Sequence, residues 1–535
     1  MSLGRASAMI AAGTLTSRIT GLLRTMVLIA AIGTIGRVSD AFAIANQLPN
    51  SIYLIISAGV LTGVVVPTVV RVSAQKDGGH DFLVKLITLG AVLVGGVTIV
   101  ATLCAPLLIT LLSRGQFTPG QHLLATYFAY WCIPQLFFYG MFALLGEILN
   151  ARRIFTPYAW APIVNNLVSI AGFLTFIWLF GGDHKNDVAQ WTPWMVTALA
   201  GTATLGIVGQ TVVLAIFWRK AGLPLRLDFR WRGMGLGTMR NLAKWTLMTT
   251  LISELVGIVQ TQTMSASSGE YASVAAAGNA WLVYMVPYSM IILAIGTPYF
   301  TRISEHAAAD RHDELRGDIA QSIRTLGLFI VIAAAAVAVA AFPAARVFST
   351  SREDAVAVAP VLLAYLVSLL PMAVLFIVQR TFYAYGDART PFFFTVVQGS
   401  LVLVLTLLIA TNVDTIVPVQ YLAAAVALAQ ALSGIVQTTV ATILLRRKIG
   451  PLGLAPTWWA LARFALAAIP AAAAGWSVFL LSGGMGGWML QDMLRGGVGA
   501  VLIAVVCGVV YAGILALFRA PELRVAIDAL RKRRG

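Results

Sequence analysis

Charge is scarce in this chain: Asp, Glu, Lys and Arg together make up 11% of its 535 residues, too little to coat a soluble domain. Cysteine is nearly missing. The three present, Cys104, Cys132 and Cys507, fall inside apolar runs, so neither a disulfide framework nor a thiolate metal site can be built from them. The five histidines, His80, His122, His184, His306 and His312, sit in or beside loops and match no metal-ligand spacing. No metal or catalytic site is expected. No Gly-Lys dipeptide occurs, which excludes a Walker A phosphate loop and an ATP-driven pump within the chain. No cofactor is expected, and energy for any transport must come from an ion gradient, the membrane potential or another subunit.

What is abundant is apolar sequence. Hydrophobic residues reach 59% and the mean hydropathy is +0.86. Fourteen runs of spanning length lie near 6–36, 40–70, 82–113, 120–149, 156–181, 194–218, 241–265, 272–301, 321–347, 355–379, 391–411, 416–445, 456–482 and 493–518. The expected fold is an all-α polytopic membrane protein of about 14 transmembrane helices. The first run is too long for a cleaved signal peptide and carries two internal arginines. The net charge of +16 points to the membrane and not to nucleic acid. Of the 37 Lys and Arg, 29 fall at the N-terminus, in alternate loops or at the C-terminus; six fall in the other loops, including Arg37, Arg114 and Lys185. The positive-inside rule then predicts a multi-pass cell-membrane protein with both termini cytoplasmic.

The remaining two basic residues, Arg18 and Arg24, lie within the first run. A basic side chain at bilayer depth costs about 2.5–3.5 kcal/mol or more, so it calls for a partner, here an anion. With the helix read from 6 to 36 and about 1.5 Å per residue, each arginine is about 20 Å from the nearer end, too far to snorkel. Thr14, Ser17, Arg18, Gly21, Arg24 and Thr25 fall within about 120° of the helical wheel. That polar stripe lines a water-filled cavity or meets buried partners on another helix.

Two stretches recur at nearly one offset. Pro67 to Ser73 (Pro-Thr-Val-Val-Arg-Val-Ser) parallels Pro298 to Ser304 (Pro-Tyr-Phe-Thr-Arg-Ile-Ser), 231 residues on, and Leu149 to Pro157 parallels Phe382 to Pro391, with the Thr-Pro pairs 234 apart. They close the second and eighth helices and the fourth and tenth, which predicts two parallel six-helix repeats. The expected division is an N-terminal lobe over 1–218, a basic cytoplasmic linker over 219–240, a C-terminal lobe over 241–446, and helices 13 and 14 with a basic tail over 447–535.

The residues Thr16-Ser17-Arg18-Ile19-Thr20-Gly21-Leu22-Leu23-Arg24, then Asp40-Ala41-Phe42 and Gln47-Leu48-Pro49-Asn50, resemble the N-terminal signature of the MurJ (MviN) lipid II flippases. Leu149 to Arg152 and Phe382 to Pro391 resemble that family's cytoplasmic loop motifs, so the resemblance spans essentially the whole chain. It implies a V-shaped transporter of the multidrug/oligosaccharidyl-lipid/polysaccharide exporter superfamily, with two six-helix lobes plus two C-terminal helices. Ala280-Trp281 and Pro287-Tyr288 resemble actinobacterial members, some of which continue into a kinase-like region. Here any such regulation is expected from another protein or not at all.

By the same resemblance Arg18 and Arg24 match arginines that hold the lipid II diphosphate, and Asp40 matches a functional acid at the start of the second helix. Two further family arginines are replaced by Tyr53 and Leu282. Asn46, Gln47, Asn50 and Tyr53, around the kink-prone Pro49, are candidate substitutes, with Trp281 and Tyr284 weaker ones. The expected function is export of the undecaprenyl-diphosphate-linked peptidoglycan precursor, lipid II, by alternating access. Glu254, near Thr250, Ser253, Gln260 and Thr261, is the candidate for a coupling Na+ or H+, with the membrane potential as the other drive. Expected partners are lipid II, membrane lipids and proteins of cell-wall synthesis or division. Export of another polyprenyl-linked glycan, multidrug or cation antiport, and a non-transporting scaffold are the competing readings.

Overall fold

A computed structural model describes residues 3–58, 80–152, 154–182, 187–220, 226–231 and 240–522. Among them the secondary structure is helical, apart from one isolated bridge between Val413 and Val417. Hydrocarbon demands this, since a helix satisfies its own backbone. Among the described residues twelve helices are long and apolar enough to span a membrane, against the fourteen expected. The second and seventh runs make the difference. They form helices Arg37–Ile56 and Arg240–Met264, but the first is described only in part and the second carries Glu254, Gln260 and Gln262 among its apolar residues. The Pro67 to Ser73 stretch, Lys185, most of the 219–240 linker and the basic tail at Arg531 to Arg534 lie outside the described residues.

Packing divides the chain into two compact units, Met1–Glu270 and Tyr271–Gly535. The first contains α1 (Leu3–Ile32), α2 (Arg37–Ile56), α3 (His80–Leu103), α4 (Ala105–Ser113), α5 (Pro119–Cys132), α6 (Gln135–Ala151), α7 (Thr156–Phe180), α8 (Pro193–Val196), α9 (Thr202–Lys220) and α10 (Arg240–Met264). The sequence-based division puts α10 at the head of the second lobe. By packing it belongs with the first unit, where Gln262 Nε2 donates to the Leu111 carbonyl at 2.6 Å. A repeat boundary and a boundary of compactness need not coincide. The first helix also ends sooner than its apolar run. Gly33, at φ +76°, takes the left-handed conformation that closes a helix, and its N–H bonds the Ile29 carbonyl at 2.7 Å. Arg24 is therefore about 12 Å, not 20 Å, from that end, still beyond the reach of one side chain.

The core of this unit joins α3, α6 and α9 through Leu83, Leu86, Leu145, Ile148, Leu214 and Trp218. Small residues let α7 and α9 approach closely, as membrane helices do when hydrophobicity alone cannot hold them together. A Cβ on Gly206 would stand 2.7 Å from the Asn165 carbonyl oxygen, whereas one on Gly209 would meet only a Val164 methyl at 3.4 Å.

The second unit contains α11 (Val274–Pro287), α12 (Ala294–Ala308), α13 (His312–Val339), α14 (Ala341–Val347), α15 (Arg352–Leu366), α16 (Leu369–Ala384), α17 (Arg389–Thr411), α18 (Leu422–Ile449), α19 (Ala455–Leu481) and α20 (Met493–Leu517). The last two pack on α13, where Tyr511 Oη donates to the Leu328 carbonyl at 3.0 Å. Buried Arg346 ties α14 to the segment before α20, donating to the Leu490, Gln491 and Ser349 carbonyls. The irregularities of the two units run in parallel. A π-turn occurs at Ser57–Ala58 and again from Tyr288, 231 residues on. Helices break at Cys104 and Ala340, and at Ile133–Pro134 and Val367–Ser368. Thr211 Oγ1 donates to the Phe138 carbonyl, and Thr438 Oγ1 to the Pro371 carbonyl, acceptors 233 apart.

The loop motif at 382–391 has a structural use. Gly386 turns the chain at φ +68°, and Asp387 then caps α17, accepting from Thr390 N at 3.0 Å, Thr390 Oγ1 at 2.8 Å and Lys448 Nζ of α18 at 2.7 Å. Burial pulls its carboxyl pKa up, but the Lys448 and Thr390 bonds outweigh that and hold it below the ordinary value. A depressed carboxyl pKa contributes stability that is present above the unfolded value of about 3.9 and lost as pH falls through the folded one.

Two outcomes are expected. Gly206→Ala reduces folded protein in the membrane while Gly209→Ala leaves it near normal, as read by fluorescence-detected size exclusion. Asp387→Asn lowers the melting temperature at pH 7, and the wild-type advantage over it shrinks as pH falls below about 4 and is gone only once pH has passed through the depressed folded pKa; an advantage independent of pH contradicts the ion-paired cap.

Candidate functional site

The polar stripe of α1 meets α7. Asn166 Nδ2 donates to the Ser17 carbonyl and to Thr20 Oγ1, both at 2.9 Å, and Trp160 Nε1 donates to the Met9 carbonyl at 3.3 Å. Part of the stripe thus serves helix packing. Arg24 sits one to two turns further along that face, half-buried, within electrostatic reach of the Tyr139 hydroxyl on α6. Arg18 is exposed, about 120° around the helix from Arg24 and next to the outward apolar row Leu15, Ile19 and Leu23. The two arginines therefore present different surfaces of unit 1, one inward and one outward.

Tyr139 is the hub on the inward side. Its ring centroid lies 6.0 Å from that of Tyr53 on α2, and its hydroxyl donates to Gln135 Oε1 at 3.4 Å. Gln135 Nε2 donates in turn to Thr204 Oγ1 at 2.9 Å. Tyr53, where the sequence resemblance implies an arginine, is thus brought beside Arg24's neighbour. Asn46 and Asn50 precede Tyr53 at helical spacing on the same face of α2, Asn46 half-buried and Asn50 exposed. Glu147, two turns beyond Tyr139 on α6, is half-buried within electrostatic reach of Tyr53 and Tyr158.

The opposite face of α2 carries the acid chemistry. Asp40 is 1% exposed, and its Oδ2 accepts from Ser268 Oγ at 2.7 Å. Gln121 Nε2 donates to that hydroxyl at 2.8 Å and to the Arg37 carbonyl at 2.9 Å. Asp40 is thus knitted to α5 and to the segment after α10. Three turns along the same face, the Ser51 hydroxyl donates to the half-buried Glu254 carboxylate. Thr250 and Ser253 donate to carbonyls one turn back, which leaves their oxygens able to accept or to coordinate. Thr261 is buried.

In the second unit Leu282 is 41% exposed. Tyr284 and Trp281 are unsuited to replacing a missing cation: Tyr284 is fully buried, its hydroxyl 3.2 Å from Ser368 Oγ, and Trp281 stacks on it at 4.8 Å and meets Tyr365 edge-on at 5.1 Å. They form an aromatic core. Residues missed in the sequence are Asn166, Tyr139, Gln135, Glu147, Gln121 and Ser268. The only signal for them was polarity within an apolar run, notably Gln135 and Tyr139 one turn apart.

A family model described as lipid II flippase MurJ matches residues 29–499. A probable lipid II flippase MurJ of Synechocystis sp. is 27% identical over 398 residues, 73% of each chain. The solved structure of a lipid II flippase MurJ in an inward closed conformation superposes with a TM-score of 0.70 at 17% identity, covering 95% of this chain and 99% of the other. An inward-facing multidrug resistance MATE family transporter of the MOP superfamily gives a TM-score of 0.65 at 15% identity, covering 82% and 95%.

Ser268→Ala is expected to destabilise the protein by about 1–2 kcal/mol, because it removes a donor from a buried carboxylate. Ser268→Thr, which keeps the hydroxyl, should recover most of that in thermal melts. Equal melting of Ser268→Ala and wild type would mean that Asp40 does not depend on this bond.

Proposed function

The chain belongs to the lipid II flippase MurJ family, and from that premise we propose that it carries lipid II across the cell membrane by alternating access. The observation that carries the mechanism is Arg24, a half-buried guanidinium beside Tyr139 on a membrane-spanning helix. A diphosphate entering there turns a charge that is costly in the bilayer into charge-assisted hydrogen bonds, which Arg's planar fork makes two at a time. Arg18, exposed on the outward surface of α1, stands apart from that contact. Tyr53, Asn46 and Asn50 contribute neutral donors where relatives carry a further cation. Asp40 holds α2 through Ser268 and Gln121. The prenyl tail stays in lipid.

Both termini are cytoplasmic in this reading, following the basic residues. Moving a net anion outward across an inside-negative potential is downhill and gains about 2.3 kcal/mol per charge per 100 mV. A coupling Na+ or H+ binds Glu254, with Ser51 as its neighbour. Enzymes of cell-wall synthesis and division supply and consume the lipid. An antiporter of lipophilic cations is disfavoured, since it would place an acid where α1 has Arg24; a flippase for another polyprenyl-linked glycan would share this clamp.

Arg24→Ala should abolish lipid II movement in proteoliposomes and complementation in cells, with insertion intact; Arg24→Lys should recover part, because one ammonium cannot make the bidentate contact. Growth on Arg24→Ala as sole copy would refute the clamp. Glu254→Gln should remove the ion dependence of transport while leaving lipid II binding near normal. Unchanged ion dependence at normal protein level would leave the membrane potential acting on the lipid's own charge as the drive.

A further inference from the structure

Unit 1 holds a cavity of about 490 Å³ where α2 and α5 begin, lined among others by Arg37, Leu123, Tyr127, Asp187, Val188 and Trp191. Small-molecule sites occupy ~300–1,000 Å³. α1 runs eight residues, about 12 Å, from Arg24 to its end near this cavity, so the cavity is separate from the diphosphate clamp.

Its walls are fixed in place. Trp191 stacks on Phe176 with centroids 5.6 Å apart and 18° between planes, and meets Phe128 edge-on at 5.2 Å. Arg37 is held at its carbonyl by Gln121. Its side chain lies where a Cβ on Gly269 would come within 2.8 Å of its Cγ, and Gly269, at φ +94°, is a position suited to glycine. Gln121 links this wall through Ser268 to Asp40.

One cation, one anion and two aromatic rings in a single cavity select among ligands. A lipid chain has no use for the charges. An inorganic anion meets Asp187, and a metal ion meets Arg37. A sugar ring lays its C–H face on Tyr127 or Trp191, gives its hydroxyl or amide protons to Asp187, and offers an attached carboxylate to Arg37, whose five N–H donors outnumber the needs of any one ion pair.

We propose that this cavity is a binding subsite for a carboxylate-bearing glycopeptide. The flippase reading, on which this identification of the occupant rests, makes it the headgroup of the transported lipid; a free glycopeptide has the same chemistry. As a headgroup site at the end of the unit away from the 152–156 loop, it holds the sugar-peptide portion apart from the diphosphate clamp, and the Gln121–Ser268 link joins its occupancy to Asp40.

The test uses the full chain in nanodiscs, with Cys104, Cys132 and Cys507 replaced by Ala and Leu123→Cys as a reporter in the cavity wall. Maleimide labelling is timed with soluble disaccharide-pentapeptide, with lipid II, and with an uncharged disaccharide. The carboxylate-bearing ligands should slow labelling at least about fivefold, and Asp187→Asn or Arg37→Gln should raise the half-protecting concentration about tenfold. Protection by lipid II alone assigns the site to the transported lipid; protection by both assigns it to the glycopeptide itself. Labelling unaffected by either, equal protection by the uncharged sugar, or protection unchanged in both variants overturns the proposal. Lipid II transport is measured with the same purified protein reconstituted in proteoliposomes. Protection without transport sinks the flippase reading and keeps the cavity; transport without protection does the reverse.

Discussion

In hydrocarbon an unpaired backbone N–H or C=O costs several kcal/mol, and the architecture follows from that one requirement. It makes the described chain helical, and it also decides where the helices can break. At Ile133–Pro134 the chain leaves the helix inside a span, and the Trp131 carbonyl one turn from the break is served by Thr204 Oγ1 of α9 at 2.7 Å. The same helix serves Phe138 through Thr211, as α18 serves Pro371 through Thr438. A break in one helix is thus stabilised by a hydroxyl of another, and the two units use the device at matching places.

The fold class was legible because hydropathy reports directly on this constraint. Helix ends were less so. The run through Gly36 reads as one helix because apolar composition does not register the left-handed turn at Gly33, and runs that continue across Cys104 or Ile133 conceal breaks whose cause lies on a distant helix. The same limit governs the site. Arg18 and Arg24 stood out because a charge is conspicuous in an apolar run. Asn166, Tyr139 and Gln121 did not, because what makes each of them important is a partner far away in the chain: Ser17 for Asn166, Arg24 for Tyr139, Ser268 for Gln121. Tyr284 shows the converse. Its position suggested a ligand, and its burial against Tyr365 and Ser368 makes it packing.

The thinning of the cationic set is local to particular helices. On α11 Leu282, where the resemblance implies an arginine, is exposed, and its aromatic neighbours turn into the unit's own core. On α2 the corresponding place is taken by Tyr53, which pairs with Tyr139 next to Arg24. A phenol costs far less to bury than a guanidinium and still donates one hydrogen bond. On the proposed mechanism a phenol there lowers the desolvation cost of the site and leaves α1 as the helix that carries positive charge toward the diphosphate.

Helix α2 separates that charge from Asp40 and Glu254. At 100° per residue Ser51 and Tyr53 lie about 160° apart; one meets Glu254 and the other meets Tyr139. Asp40, three turns before Ser51, shares the acid face. A carboxylate paired directly with Arg24 would satisfy it permanently and remove its reason to bind an anion. Placing Glu254 and Asp40 behind α2 avoids that neutralisation while keeping both within reach of the same rigid element. Pro49, inside α2, cannot donate to the Ala45 carbonyl, which makes that turn the weakest of the helix. A bend there moves Tyr53 and Ser51 together. On the proposed mechanism, an anion on one face and a cation on the other then bias one two-state element, and coupling requires only that each ligand prefer a different state of it.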